Sequence, residues 1–258
     1  MAAITGRIPK LKNRRRSMSR ELPILFNTDM VRAILREPPN NKTATRRIIK
    51  RKKVDSVLNS LARKENPDIP DEKFIKCLID APYQKGDLLY VRETWRVGAW
   101  DIRNQMIAFD YKDGTCGELV YIHSRELFNR LVDQSREDAR KAKCEYNGAD
   151  FVWEKGKSPC RWHPSIHMPK EAARIWLKVT DVRVERLQDM TLDDFLSEGV
   201  VIRPEAFNDP ENAYLQARDA FVRIWDSTIK KEEIYLYGWD GKPWTWVIEF
   251  ERCEKPEH

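Results

Sequence analysis

The sequence predicts an α+β domain in which short strands form a small barrel with helical insertions. Short apolar or alternating segments, typical of strands, recur along the 258 residues, whereas long amphipathic helical patterns are few. Many short strands with few long helices favour a small barrel. We therefore expect one domain over residues 21–258, with insertions near 50–80, 98–160 and 203–238, preceded by a basic tail over 1–20.

The first predicted elements are a strand over residues 22–26 and a helix over 29–36. Thr28 is the predicted N-cap of this helix because its hydroxyl can accept a hydrogen bond from an amide of the first turn. Pro38 follows the end of the helix, where proline is common. Apolar residues at helical spacing predict a second helix over 54–63.

The remaining strands follow the same alternation, and the remaining helices carry recognisable caps. A charged amphipathic helix is expected over 124–143, with Ser124 as its N-cap. A short helix starts after Thr191 and ends at Gly199, and another helix covers 212–228. Strands are predicted over 87–95, 106–111, 118–123, 174–185 and 244–250, with a hairpin turn at 113–114.

The positive charge of the chain is concentrated before residue 54. The first 20 residues hold seven of the 47 Lys and Arg residues and none of the 41 Asp and Glu residues. Phosphate backbones are the natural partner of such a patch, so RNA is an expected partner and DNA could bind the tail. A disordered, solubilising arm would have the same composition. A second basic cluster consists of Lys42, Arg46, Arg47, Lys50, Arg51, Lys52 and Lys53.

Composition indicates a cytoplasmic protein. No apolar run approaches the roughly 20 residues that cross a bilayer, so we expect no membrane partner. The start of the chain has cations but no apolar segment typical of a secretory signal. The five cysteines are odd in number and irregularly spaced, which argues against a disulfide framework and for a reducing compartment. The sequence does not predict an oligomeric state.

Residues 42–47 combine two hydroxyls with three cations. In an extended chain, Lys42 and Arg46 would lie on one face, and Thr43, Thr45 and Arg47 on the other. Hydroxyls beside cations can hold a phosphate, a nucleobase carbonyl or an oxyanion. A solvated basic turn would have the same pattern.

Five segments in order resemble the ASCH domain, a relative of the PUA barrel, in its phage and prophage branch. They cover about half of the chain and include a Lys-Thr-x-Thr-x-Arg element, a "GD-x-L-x-V" strand ending in "RETW", and a "PSIHMP" loop. The turn before Lys42 is longer than is usual in that family. The resemblance implies that residues 22–27, 87–95, 174–185 and 244–251 belong to one closed or nearly closed sheet.

The resemblance also implies candidate catalytic residues. Some small bacterial ASCH proteins are amidohydrolases that remove the acetyl group of N(4)-acetylcytidine with a lysine, a threonine and a glutamate. Their motifs match Lys42, Thr45 and Glu198 here. In that chemistry a threonine hydroxyl attacks after a base takes its proton. Lys42 is such a base only if its pKa is lowered, and Glu198 can pass a proton to the leaving amine.

A further set of residues is expected to bind a base or a nucleic acid. Aromatic side chains stack on unpaired bases, and cations hold phosphates. The same aromatic composition would also fit a core, which is the favoured interpretation for Trp244 and Trp246. The candidate binding residues are Thr43, Arg46, Arg47, Arg92, Trp95, Trp162 and His167.

The function expected from these features is recognition of a nucleobase or RNA by an ASCH/PUA-like barrel. The alternative is an amidohydrolase acting on an acylated cytidine, and a third hypothesis is a phage assembly or host-takeover adaptor. Cys144, Cys160, His163 and His167 have a spacing compatible with zinc. Because the resembling family needs no metal, we expect neither a metal nor a cofactor, and we expect His167 to be a positioned loop residue.

Overall fold

The computed structural model describes residues 19–38 and 41–256, and their fold is mixed α+β as predicted. The strands are β1 (Glu21–Leu25), β2 (Ala44–Ile48), β3 (Leu88–Arg92), β4 (Trp95–Asp101), β5 (Met106–Tyr111), β6 (Cys116–Tyr121), β7 (Glu145–Tyr146), β8 (Phe151–Val152), β9 (Trp176–Arg186) and β10 (Trp244–Cys253). The α-helices are α1 (Thr28–Ile34), α2 (Arg51–Leu58), α3 (Leu61–Glu65), α4 (Asp71–Leu78), α5 (Arg125–Lys141), α6 (Leu192–Ser197), α7 (Pro210–Ser227) and α8 (Ile234–Tyr237). Short 3₁₀ helices cover Ser165–His167, Lys170–Ala172, Leu187–Asp189, Pro204–Asn208, Lys231–Glu233 and Trp239–Gly241.

The basic tail predicted over residues 1–20 lies almost entirely outside the described residues. Its last residue, Arg20, belongs to the folded chain: its Nε donates to Asp87 Oδ1 at 3.0 Å, and Leu88 N donates to its carbonyl at 2.8 Å. A tail truncation that spares the fold therefore has to stop before Ser19.

Two of the predicted helices differ from those in the structure. Met30 N donates to Asn27 Oδ1 at 2.8 Å, so Asn27 rather than Thr28 caps α1. The predicted helix over 54–63 is two helices, because Ser60 interrupts it and caps α3 by accepting from Arg63 N. The prediction did not include α4.

The largest sheet has the strand order β1-β3-β9-β10-β2. The four segments predicted to share a sheet therefore do so, as β1, β3, β9 and β10. The sheets of the described residues are not closed, so the α+β class is confirmed and the barrel is not.

The first of two compact units comprises the described residues within 1–20, 33–88 and 178–251. In this unit β10 pairs antiparallel with β2, which places Ile248 opposite Thr45. The helices α6 and α7 cover a core that includes Phe195, Phe221 and Trp225. This unit holds every candidate catalytic residue.

The second unit comprises the described residues within 21–32, 89–177 and 252–258. Its antiparallel sheet has the order β4-β5-β6, with Trp95 opposite Tyr111. The segment 98–160, predicted as a helical insertion, therefore consists mainly of this sheet and of the single long helix α5. Within the part of the chain that the structure describes, no helix is long and apolar enough to cross a bilayer.

Candidate functional site

Backbone hydrogen bonds fix the segment that leads into β2. Lys42 N donates to Ala33 O at 2.9 Å, and Thr43 N donates to Ser197 O at 2.8 Å at the end of α6. On the other side, Phe250 N of β10 donates to Thr43 O at 2.8 Å. Lys42 is thereby held beside the C-terminal end of α6.

The two ends of α6 are defined by local sequence. Thr191 and Asp194 form a capping box in which each side chain accepts from the other residue's amide, as the sequence predicted for Thr191. Gly199 follows the helix with φ +88°, a conformation that favours glycine. A Cβ at Gly199 would lie 2.8 Å from Cβ of Ala33 and 3.0 Å from Cβ of Lys42. Glycine therefore allows both the turn and the close approach to Lys42.

The side chains of Lys42 and Glu198 form a buried ion pair. Lys42 Nζ donates to Glu198 Oε2 and also to the Glu198 carbonyl, at 2.9 Å for the latter. The two side chains are only 1% and 6% exposed. Burial lowers the pKa of Lys42; the Glu198 carboxylate opposes that change, while Arg47 and Arg46 add to it. The pKa of Lys42 is therefore shifted in the direction that a lysine base requires.

Arg46 is held by three carboxylates. Its side chain is fully buried, with Nη2 2.7 Å from Asp194 Oδ1 and 3.2 Å from Glu185 Oε2, and Nη1 3.4 Å from Glu198 Oε1. A guanidinium with these partners fixes α6 against β2, and the role of Arg46 in ligand binding stays a prediction. Arg183 lies 3.4 Å from the same oxygen of Asp194 and extends the network.

The other residues of the motif point to Tyr83 as an additional candidate. Thr45 is 1% exposed, and Thr43 and Arg47 are partly buried. Burial lowers the pKa of Arg47, and its attraction to Tyr83 and Glu198 opposes the change. Burial raises the pKa of Tyr83, and Arg47 opposes that change. Sequence reasoning missed Tyr83, whose only signal is its position four residues before Asp87 of the resembling strand.

Sequence reasoning also missed the acidic partners of Arg46. Glu185 is the penultimate residue of β9, and Asp194 lies in the first turn of α6. A capping aspartate needs only one carboxylate oxygen for the cap, and this was the available signal for a cation partner. Asp194 uses Oδ2 for the cap and accepts from Arg46 with Oδ1.

Trp95, in the second unit, is a core residue. It is 2% exposed, with its ring stacked on His163 at 4.5 Å and edge-on to Phe109 at 5.3 Å. Both of these ring contacts are with protein side chains, and base stacking by Trp95 stays a prediction. Trp244 and Trp246 of the first unit are also buried, as favoured from the sequence.

The other predicted binding residues of the second unit are more accessible. Trp162 is partly buried between two cations, with Arg96 Cζ and Lys112 Nζ each 4.6 Å from its ring. Arg92 Nη1 donates to the Ile166 carbonyl at 3.1 Å and so braces the loop that carries the exposed His167. Arg92, Trp162 and His167 thus belong to the second unit, while Lys42, Thr43, Thr45, Arg47 and Glu198 belong to the first.

The glutamate of the "RETW" segment has a structural role. Glu93 accepts two hydrogen bonds from Arg174, at 2.9 and 2.8 Å, and Arg174 also reaches Asp113 at 2.7 Å. Burial raises the pKa of Glu93, and Arg174 opposes the change. This motif therefore stabilises the second unit from within.

The histidines and cysteines considered for zinc have other contacts. His163 stacks on Trp95, and Cys160 Sγ lies 3.9 Å from the Ser135 carbonyl. Among the described residues, no group of three or more His, Cys, Asp or Glu side chains is arranged to hold a metal ion.

Comparison of the chain with protein-family models, curated proteins and solved structures found no match. Chemically, the first unit brings together a lysine of lowered pKa, a carboxylate and a second cation, and the same unit holds the buried Thr45. Such a set can exchange protons and can hydrogen-bond a planar polar ligand.

Proposed function

We propose that the first unit recognises a nucleobase that carries an exocyclic amine, either within RNA or as a modified nucleoside. The observation that carries this proposal is the Lys42–Glu198 pair, which is almost wholly removed from water; Thr45, three positions after Lys42, is also buried. Taking two charges out of water costs several kcal/mol per ion, and strongly perturbed ionisable groups cluster at functional sites.

The donors and acceptors of the pair match the edge of a cytosine. A carboxylate such as that of Glu198 accepts from the exocyclic N4 amine. Lys42 and Arg47 are cationic donors suited to the ring nitrogen and the carbonyl. Uracil presents a carbonyl in place of the amine. That carbonyl oxygen is an acceptor, so it would face the Glu198 carboxylate with no donor between them. The proposal therefore includes a preference for cytosine over uracil.

An ion-pair network that only holds α6 against β2 would be buried to the same extent. Ligand titration separates this structural role from a role in binding a base. We expect calorimetry to show cytidine binding to the purified chain, with uridine weaker and with Glu198→Gln abolishing the heat. Glu249→Gln is the matched control, because Glu249 pairs with Arg183 in the same unit at the outer part of the network. If neither nucleoside binds, or if both variants behave alike, the proposal is rejected.

Hydrolysis of an acylated cytidine is the second candidate, and the lowered pKa of Lys42 favours it. Neutral Lys42 would accept the proton of Thr45 while Thr45 Oγ1 attacks the acyl carbonyl. The bond from that carbonyl to N4 then breaks, and N4 takes a proton through Glu198. The resulting ester on Thr45 is hydrolysed by water, which releases the carboxylic acid and free Thr45.

Chromatography of N(4)-acetylcytidine incubated with the chain tests this second candidate. We expect cytidine to form, Thr45→Val to abolish turnover, and Thr180→Val, the matched loss of a hydroxyl on β9 in the same unit, to retain it. Arg47→Ala should mainly raise KM, because a cation that orients the base contributes uniform binding. Turnover that survives Thr45→Val would instead indicate attack by water, and no cytidine above the control without protein would leave binding alone.

A further inference from the structure

A basic cleft of about 210 Å³ lies in the first unit, and neither Lys42 nor Glu198 lines it. One wall is α2, and the other is formed by the end of β9, by α8 and by the turn before β10. The residues that matter for the argument are Arg51, Asp55, Arg186, Tyr237, Lys242 and Trp244. We call this site the α2 cleft.

The start of α2 concentrates cations where a helix least favours them. Lys50 is the N-cap, Arg51, Lys52 and Lys53 form the first turn, and no acidic residue lies in that turn. The N-terminal end of a helix carries a partial positive charge, so cations there are destabilising and an anion is stabilising. Lys50 offers no side-chain cap; instead Arg51 N donates to the Tyr237 hydroxyl at 3.2 Å.

The opposite wall adds two cations and a buried donor. The Arg186 guanidinium lies 4.1 Å from the Trp244 ring and donates to the Lys242 carbonyl at 2.9 Å. Trp244 is 8% exposed, and its indole Nε1 is buried without a hydrogen-bond partner among the described residues. A buried N–H with no acceptor is costly, so Trp244 is a second and independent sign that the α2 cleft accommodates an acceptor.

Two carboxylates oppose these cations. Asp55 lies 3.7 Å from Arg51, and Glu233 lies 3.5 Å from Lys50; all four side chains of these two pairs are substantially exposed. Exposed pairs of this kind are weak. Among the side chains that line the α2 cleft, three cations, Arg51, Arg186 and Lys242, face one carboxylate, Asp55, so the cleft favours an anion.

We propose that the α2 cleft binds the phosphate backbone of single-stranded RNA. This inference deepens the proposed function, since it requires that the base recognised by the first unit be part of a strand. A recessed cleft suits a projecting phosphodiester group. An anionic bilayer would instead favour apolar side chains beside the cations, whereas the exposed positions of α2 are Arg51, Lys52, Lys53, Asp55 and Ser56.

The salt dependence of RNA binding tests the α2 cleft. The probe is a fluorescein-labelled single strand of about 12 nucleotides, within the range one small domain covers, followed by anisotropy at several KCl concentrations. Each lost contact to a single strand lowers the slope of log affinity against log salt by about 0.7. The double variant Arg51→Gln/Lys242→Asn, which removes two of the cations that line the cleft, should therefore lose about 1.4 of slope. Arg130→Ala/Lys141→Ala, which removes the same charge from the exposed face of α5, should leave the slope unchanged.

The buried indole gives a second, charge-neutral test. Trp244→Phe keeps an aromatic ring under Arg186 and removes the N–H, so RNA binding should weaken with no change in salt slope. Its thermal unfolding, compared with that of the unaltered chain, shows whether the fold is kept. If the fold is kept and RNA affinity is unchanged, the indole does not donate to the phosphate and the proposal is overturned.

Cytidine separates failure of the α2 cleft from failure of the base site. Arg51→Gln/Lys242→Asn should bind cytidine like the unaltered chain, because a nucleoside has no phosphate. If the chain does not bind cytidine but this variant still lowers the RNA salt slope, the base site is rejected and the α2 cleft is kept. Equal RNA slopes for the two double variants would overturn the α2 cleft. Binding to phosphatidylserine vesicles that only Arg51→Gln/Lys242→Asn loses, in a chain that does not bind RNA, would overturn it as well.

Discussion

The ion pair between Lys42 and Glu198 should give a large coupling energy in a double-mutant cycle. Removing one partner of a buried pair costs about 3–5 kcal/mol, because the other charge remains buried. After Lys42→Met, the carboxylate keeps Arg46 Nη1 at 3.4 Å. After Glu198→Gln, Lys42 loses its carboxylate while keeping the Glu198 carbonyl at 2.9 Å.

The cost should therefore be unequal for the two single variants. We expect about 3 kcal/mol for Lys42→Met and about 4 kcal/mol for Glu198→Gln, the lower end and the middle of the range for broken buried pairs. The double variant has no unpaired charge from this pair and should cost about 4 kcal/mol in total, which gives a coupling of about 3 kcal/mol.

Hydrogen exchange followed by mass spectrometry on peptides from β2 and α6 measures these costs locally. A local measurement is needed because the chain contains two compact units, so a single global transition is not assured. The coupling should persist in 1 M salt, since a buried pair is weakly screened. Single-variant costs that add to within about 0.5 kcal/mol would refute the reasoning.

Three further predictions concern other parts of the chain. Gly199→Ala should lower the thermal unfolding temperature more than Gly86→Ala, because both sites have φ near +90° but only the first also meets neighbouring side chains; equal losses would show that backbone strain alone matters. The pKa of Asp194 is lowered, since hydrogen bonds from the cap and from Arg46 outweigh burial. Its ionised form therefore stabilises the fold above about pH 4, that stability is lost as pH falls through the lowered pKa, and Asp194→Asn should flatten the decline of the urea midpoint between pH 6 and 3. An equally steep decline in the variant would contradict this. Deleting residues 1–18 should weaken RNA binding and reduce its salt slope, whereas an unchanged slope across a KCl series would make the tail a solubilising arm.

Elements with strong local signals were predictable from the sequence. Ser124 and Thr191 begin α5 and α6 as expected, because a cap depends on residues only three positions apart. Asn27 and Thr28 are both good caps, so local chemistry alone could not choose between them. The helix α4 was missed because it buries only Phe74 and Ile75, too few for a clear helical period.

The candidate site was predictable only where a motif joined distant residues. The resemblance paired Lys42 with Glu198, which are in contact although 156 positions apart. Nothing local indicated that Arg46 would face Glu185, which is 139 positions away. A tryptophan before an apolar strand suits either a core or a base-stacking surface, and Trp95 is buried with its ring stacked on His163. Whether the sheet closes could not be predicted from the sequence either, because strand alternation does not specify which strand edges pair.

The pairing of β2 with β10 has a consequence for synthesis on the ribosome. β10 follows β2 by about 200 positions, and the Tyr237 hydroxyl that caps α2 follows Arg51 by 186. At a synthesis rate of about 5–20 residues per second, about 10–40 s pass between the synthesis of β2 and that of β10. During that interval its edge is open to other strands, and the cations of Lys42 and Arg46 stay in water. The first unit therefore assembles late and through long-range contacts, so its nascent chain is a candidate client for chaperones.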